Sequence, residues 1–194
     1  MNLKGKKIGF AMTGSFCTLD KVMEELRVLK STGADIFPIM SEIVYFSDTR
    51  FGKAEDFIWE MEDITGKKIL KSIKEVEPIG PKSMLDLIIV APCTGNTLAK
   101  LANGITDTSV TMAVKAHLRN GRPVLLGVST NDGLGNAAKN IGFLLNSKSV
   151  YFIPFNQDDH ENKPNSLVAD FGKIVPAAEA ALEYRQLQPV LLKL

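Results

Sequence analysis

The residues best placed to do chemistry in this chain are consecutive: Pro92, Cys93, Thr94, Gly95, Asn96 and Thr97, inside Ala91-Pro-Cys-Thr-Gly-Asn-Thr-Leu-Ala-Lys-Leu-Ala-Asn-Gly-Ile-Thr-Asp107. Upstream, Leu85 to Val90 is an apolar run broken only by Asp86, the pattern of a buried parallel strand. Downstream the spacing turns helical. A turn between a strand's carboxyl end and a helix's amino end gathers hydroxyls, an amide and unpaired backbone N–H groups at one spot. That is chemistry for holding a polar ligand, anionic or flavin-like. Helix capping by Thr94 or Asn96 accounts for one or two of these residues, less well for five in a row. Cys93 is the one candidate nucleophile, because a thiol beside a helix N-terminus has its pKa lowered. Packing of a small residue at a tight turn is the competing reading.

Three further strand ends carry similar residues. Thr13, Gly14 and Ser15 follow the first strand, with Cys17 just beyond, and Ser41-Glu42 follows the second. Together with the 92–97 turn they predict a cradle for a phosphate or carboxylate, since helix N-termini favour anions and hydroxyls complete the shell. The last, Ser129-Thr-Asn-Asp-Gly-Leu-Gly135, offers Ser129, Thr130, Asn131, Gly133 and Gly135 as a substrate wall. Gly133 to Ala138 also matches G-x-G-x-x-A, but not on the first strand of a unit. The nearest acids, Asp158 and Asp159, fall in a loop past the next strand, so a glycine-rich substrate loop is the better reading than a nicotinamide site. His117 reads as a solvated or interface residue on a helix. His160, among Asp158, Asp159 and Glu161, reads as a surface loop, and no metal-ligand spacing is present.

The elements that must position these residues alternate. Strands are predicted at Lys7–Met12, Asp35–Met40, Leu85–Val90, Pro123–Val128 and Val150–Pro154, with Ile69–Ile73 a short strand or turn. Helices are predicted at Leu19–Thr32, Phe51–Thr65, Thr97–Asn103, Ser109–Asn120, Asn136–Leu145 and Ser166–Gln186, the last kinked or restarted at Pro176. Such alternation predicts an α/β fold, a parallel sheet with helices on both faces, as a single domain over 1–194. Val110, Met112, Ala113, Val114 and Leu118 make one helix apolar on more than one face, a hint of a homo-oligomer or of a broad core stripe. With 23 basic against 22 acidic residues, net +1, nothing argues for nucleic acid or a membrane surface. Two cysteines and no apolar leader predict a cytoplasmic protein.

Thr13-Gly-Ser15 and the Ala91–Asp107 segment resemble the flavoprotein family of homo-oligomeric FMN-containing cysteine decarboxylases, whose corresponding segment is a Pro-x-Ser-x-Asn-Thr-Leu-Ala-Lys-like motif beside the flavin. The resemblance implies a three-layer Rossmann-like flavoprotein fold, with FMN touched by Thr13, Gly14, Ser15, Ser41 and the 92–97 turn. Within the family the chain more closely resembles B-type subunits that act in sporulation with an A subunit carrying the nicotinamide (NAD or NADP), a similarity that runs nearly end to end. Together they convert a dihydrodipicolinate-type precursor, a small dicarboxylate, to dipicolinate. Pro78 stands where the decarboxylases carry a catalytic histidine. Gly127-Val-Ser-Thr-Asn131 stands where they carry Pro-x-Met-Asn, and only Asn131 replaces part of it. These departures speak against the alternative, an FMN-dependent decarboxylase or flavin-using lyase. A third reading is a non-catalytic binding or scaffolding subunit with a degenerate flavin pocket.

Overall fold

A computed structural model of the protein describes residues 2–192; Met1, Lys193 and Leu194, the ends of the expected 1–194 domain, lie outside the described residues. Five strands form the parallel body of the sheet: β1 (Lys7–Met12), β2 (Asp35–Met40), β3 (Leu87–Cys93), β4 (Val124–Thr130) and β5 (Val150–Phe152). Their order is 2-1-3-4-5, with Ile8 level with both Ile36 and Leu87, and Leu125 level with Tyr151. β3 is buried at every residue and β1 at all but its first, which is why both read as unbroken apolar runs rather than alternating ones.

The sheet is mixed, not wholly parallel. Two short strands, β6 (Phe155–Asn156) and β7 (Leu167–Ala169), run antiparallel at the far edge. β4 therefore uses its outer edge twice: Val124–Leu126 pair with β5, and Ser129 and Thr130 with Val168 and Leu167 of β7. This corrects the expected helix over 166–186. Leu167 and Ala169 are buried with Val168 less so, a strand alternation, and the helix starts only at Ile174. Pro176 then falls in its first turn, where a missing N–H breaks no helical bond.

Helix α1 (Leu19–Ser31) links β1 to β2. Between β2 and β3 come the single-turn α2 (Glu42–Phe46), α3 (Ala54–Thr65) and the short α4 (Ile73–Val76). The expected short strand near Ile69 reduces to one bridge between Ile39 and Leu70. Then follow α5 (Gly95–Ala102), α6 (Ser109–Leu118), α7 (Ala138–Leu145) and α8 (Ile174–Leu182), which packs beside α1. The apolar breadth of α6 has an internal cause. It buries Val110, Ala113 and Val114, packs against the sheet and also meets α4 and the turn after it, where Gly80 comes so close that a Cβ there would lie 2.9 Å from the Ala116 carbonyl oxygen.

His117 is a second correction. It is not solvated but 1% exposed at the amino end of the sheet, with Nε2 3.0 Å from the Pro123 carbonyl oxygen. Burial, reinforced by the nearby Arg122 cation, outweighs the Pro123 hydrogen bond and the Asp86 charge and lowers its pKa to about 4. The ring is neutral at pH 7.

Candidate functional site

In a sheet of order 2-1-3-4-5 the connections leave β1 and β3 in opposite directions, so a crevice opens between their carboxyl ends. A cavity of about 590 Å3 lies there, lined by the ends of β1, β2 and β3 and the starts of α2, α5 and α6. Of the expected cofactor residues, Thr13, Gly14, Ser41, Thr94, Asn96 and Thr97 line it. Ser15, Pro92, Cys93 and Gly95 do not.

Most hydroxyls at this end already have partners. Thr13, 2% exposed, donates its Oγ1–H to the Pro92 carbonyl at 2.8 Å and accepts from the Thr94 N–H at 3.1 Å, so it staples β1 to β3. Thr94 caps α5, accepting from the Thr97 N–H at 3.2 Å, and the two hydroxyls lie 3.0 Å apart. Capping thus accounts for these two side chains. Ser15 and Ser129 hydroxyls meet at 2.7 Å, with Thr18 Oγ1 3.4 Å from Ser129. One residue expected on the cofactor and one expected on the substrate therefore hold each other.

The other expected substrate residues serve the loop after β4. Thr130 donates to Asp132 at 2.5 Å and the Gly135 N–H to the Asp132 carbonyl at 2.8 Å, while Asn131 is exposed. Gly133 lies against Leu167, where a Cβ would come within 2.6 Å of Leu167 Cγ. Gly95 is there for close approach: a Cβ would lie 2.7 Å from Thr130 Oγ1 and 2.9 Å from Asp132 Oδ1. None of these residues lines the β1/β3 cavity.

Cys93 is corrected outright. Pro92 does not end β3; the register shifts between Val90 and Cys93, an irregularity that admits a proline, and the strand continues through Cys93. The thiol is wholly buried, and that burial pushes its pKa far up rather than down. It is a packing residue. Cys17 is exposed in the turn after β1.

What remains unpaired is specific. Ser41 Oγ and Glu42 Oε2 are buried with no hydrogen-bond partner among the described residues, and both residues line the cavity. Ser41 is the N-cap of α2 yet makes no side-chain cap bond. The other Glu42 oxygen accepts the Ser109 N–H at 3.0 Å, in the first turn of α6, and Ser109 Oγ donates to the Met40 carbonyl at 2.6 Å. Lys100, also on the wall, is paired with Asp107 at 2.8 and 3.0 Å. Ile43 and the 70% exposed Phe46 form an apolar lip.

These groups test the flavin expectation. An unpaired hydroxyl and an unpaired carboxylate oxygen, side by side, call for a ligand offering both acceptors and donors. FMN does so, with phosphate oxygens and ribityl hydroxyls, and the residues fit it. A plain dicarboxylate offers acceptors only and would leave Glu42 Oε2 without a donor.

Glu42 is apparent in the sequence, with Ser41 at the end of the second strand, whereas Lys100 and Thr108 on this wall are not apparent there. Glu42 reads there as an acid in a helix's first turn; only the packing of α6 onto β2 buries it. Among the described residues, no three His, Cys, Asp or Glu side chains cluster to hold a metal ion, and no helix is long and apolar enough to cross a membrane.

The flavoprotein family model matches residues 1–173. The chain is 46% identical over 192 residues to the B subunit of dipicolinate synthase of Bacillus subtilis (strain 168), covering 99% of this chain and 96% of that protein. The crystal structure of the B subunit of dipicolinate synthase from Bacillus halodurans C superposes with a TM-score of 0.92 at 45% identity, over 100% of this chain and 99% of that one. The FMN-dependent cysteine decarboxylase SpaF shares the fold, with a TM-score of 0.61 at 17% identity over 95% of this chain and 99% of that one.

Proposed function

Because the chain belongs to the flavoprotein family, we propose that it acts as the B-type subunit of dipicolinate synthase and holds FMN between the carboxyl ends of β1, β2 and β3. With an A subunit that brings NAD or NADP, it converts a dihydrodipicolinate-type precursor to dipicolinate in sporulation. The observation that carries this is similarity along nearly the whole chain to B subunits of that enzyme.

The chain's own residues supply binding and electrostatics. Ser41 Oγ donates to a phosphate oxygen, and Glu42 Oε2 accepts from a ligand hydroxyl. The first-turn N–H groups of α5 put the positive end of the helix dipole beside the cavity, stabilising negative charge. Ile43 and Phe46 give the mouth an apolar wall, and Lys100 on the wall is paired with Asp107. FMN, when bound, supplies a ring that takes up electrons or serves as an electrophile. Conversion of a dihydropyridine to a pyridine would release a hydride, for which the A subunit's oxidised nicotinamide would be the acceptor, and a proton, which would pass to solvent.

The decarboxylase reading finds no support in the histidines. Neither His117 nor His160 lines the cavity, and Pro78 occupies a short turn after α4. The scaffold reading differs in outcome: loss of activity in Asn96→Ala, with the subunits still assembled, counts against it.

The test mixes the purified chain with its A subunit, oxidised nicotinamide and precursor, and follows the ultraviolet absorption of the aromatic product. The reading expects product only with both subunits; an equal rate from the A subunit alone overturns it. The flavin is tested separately, by the visible spectrum of the chain and by quenching of added FMN fluorescence.

A further inference from the structure

A second cleft, of about 340 Å3, lies on the other side of the first turn of α5, between α5 and α7. Four amides border it, from Asn96, Asn103, Asn136 and Asn140, together with Lys139 and Asp132. Asn140 is the informative one. It is 8% exposed, the one buried asparagine among the described residues, and its side chain bonds to no protein group there. Its amide oxygen and nitrogen are not fully buried; they keep some exposure, and the residue lines the cleft. Its neighbours are also uncommitted: Asn96 and Lys139 are exposed and make no side-chain bond among the described residues, while Asn103 commits only its Nδ2, to the Ala99 carbonyl at 2.8 Å.

Donors dominate this cleft. Three unpaired amides, an ammonium group and the first-turn N–H groups of α5 face one acid, Asp132, which already accepts from Thr130. The β1/β3 cavity differs in holding Glu42, which presents an unpaired carboxylate oxygen. We infer that the α5–α7 cleft binds a small carboxylate that also carries an N–H or hydroxyl donor, the carboxylate on Asn96, Lys139 and Asn140 and the donor on Asp132. It is a subsite separate from the flavin cavity, meeting it only at Asn96, which lines both. The identity of that carboxylate, a cyclic diacid, rests on the function proposed above; the cleft's preference for the class does not.

The test titrates the whole chain with dipicolinate and with its fully hydrogenated piperidine analogue, which adds a ring ammonium donor, by calorimetry. Saturable binding of both is expected, tighter for the piperidine diacid. Lys139→Glu, at an exposed position, and Asn140→Asp each weaken it at least tenfold; Asp132→Asn removes the preference for the amine, and Ser41→Ala leaves binding unchanged. Absence of saturable binding, indifference to Lys139→Glu, or loss in Ser41→Ala overturns the subsite. The two proposals fail separately. If Lys139→Glu still makes dipicolinate at the parental rate with its A subunit, the subsite is wrong and the function stands. If the paired subunits make none while Lys139-dependent binding persists, the function is wrong and the subsite stands.

Discussion

The two ends of the parallel sheet are equally rich in polar groups and use them differently. At the amino end the groups close on each other. Asp86 accepts the Lys7 N–H at 2.9 Å and returns its own N–H to the Lys7 carbonyl at 2.7 Å; Arg122 reaches the Leu85 carbonyl and Asp86; Asn120 holds the Gly80 carbonyl at 2.8 Å; His117 is bonded to Pro123. At the carboxyl end Thr13, Ser15, Thr94, Thr97, Ser129 and Thr130 are likewise paired, but Ser41 Oγ and Glu42 Oε2 are not. A satisfied polar group stabilises the fold modestly, whereas a buried unsatisfied one destabilises it and awaits a ligand. Residue type alone therefore does not separate brace from site; the partner does.

The largest expected break of this contrast is Gly95→Ala. The new methyl carbon would fall 2.7 Å from Thr130 Oγ1 and 2.9 Å from Asp132 Oδ1, both held by their mutual bond. Overpacking of this kind costs about 3 kcal/mol, which lowers Tm by roughly 6–12 °C for a domain of this size. Circular dichroism melting reads it, and FMN affinity falls with it because both clefts share this turn. An unchanged Tm would mean that the loop after β4 yields freely.

Next comes acidification, which acts at the amino end. His117 has a pKa near 4 in the fold and about 6.5 when unfolded, so between those values the unfolded chain binds the extra proton. Its stabilising contribution is complete above pH 6.5 and declines as pH falls towards 4, by about 2 kcal/mol at pH 5. His117→Gln keeps an amide donor for the Pro123 carbonyl and should flatten Tm between pH 7 and pH 5 relative to the parent. An equally steep profile in the variant assigns the acid sensitivity elsewhere. Thr13→Val follows, at about 1.5 kcal/mol, because it leaves the part-buried Thr94 N–H unpaired. Urea denaturation reads it as a lower midpoint at constant slope.

Much of this architecture is legible in the sequence, because local pattern and tertiary demand agree in it. β1 and β2 fall where predicted, and α1 begins at Leu19 as its apolar spacing requires. The strand ends that surround the β1/β3 cavity are legible too, since glycine or hydroxyl residues mark each one. What sequence hides is pairing across the sheet. Ser15 and Ser129 are 114 positions apart and meet only because β4's end folds over the turn after β1. Cys93 reads as reactive because its helix is visible from sequence and its burial is not. Asn140 looks like an ordinary helix-surface residue until α7 is packed, and Glu42, though visible at a strand end, gives no sign in sequence that one of its oxygens is buried. The region after β5 misleads for a related reason: a three-residue strand such as Leu167–Ala169 is too short to show a period of its own.

The smallest effect on stability sharpens the contrast most. Ser41→Ala removes a hydroxyl that caps nothing and bonds to nothing among the described residues, so the usual loss of about 1 kcal/mol for deleting an N-cap side chain does not apply. Stability should stay within about 0.5 kcal/mol of the parent, or rise, since a buried polar atom without a partner is being deleted. FMN affinity should nevertheless fall, because a hydrogen bond to a charged phosphate oxygen is worth about 1.5–3 kcal/mol, roughly a ten- to hundredfold change in Kd. Fluorescence quenching gives the affinity and thermal melting the stability, on the same preparation. Thr94→Ala is the matched control: it deletes a hydroxyl that caps α5, so it should lower Tm as Ser41→Ala does not. If Ser41→Ala instead destabilised the chain and left FMN binding untouched, Ser41 would be one more brace, and the carboxyl end on its β2 side would be built like the amino end.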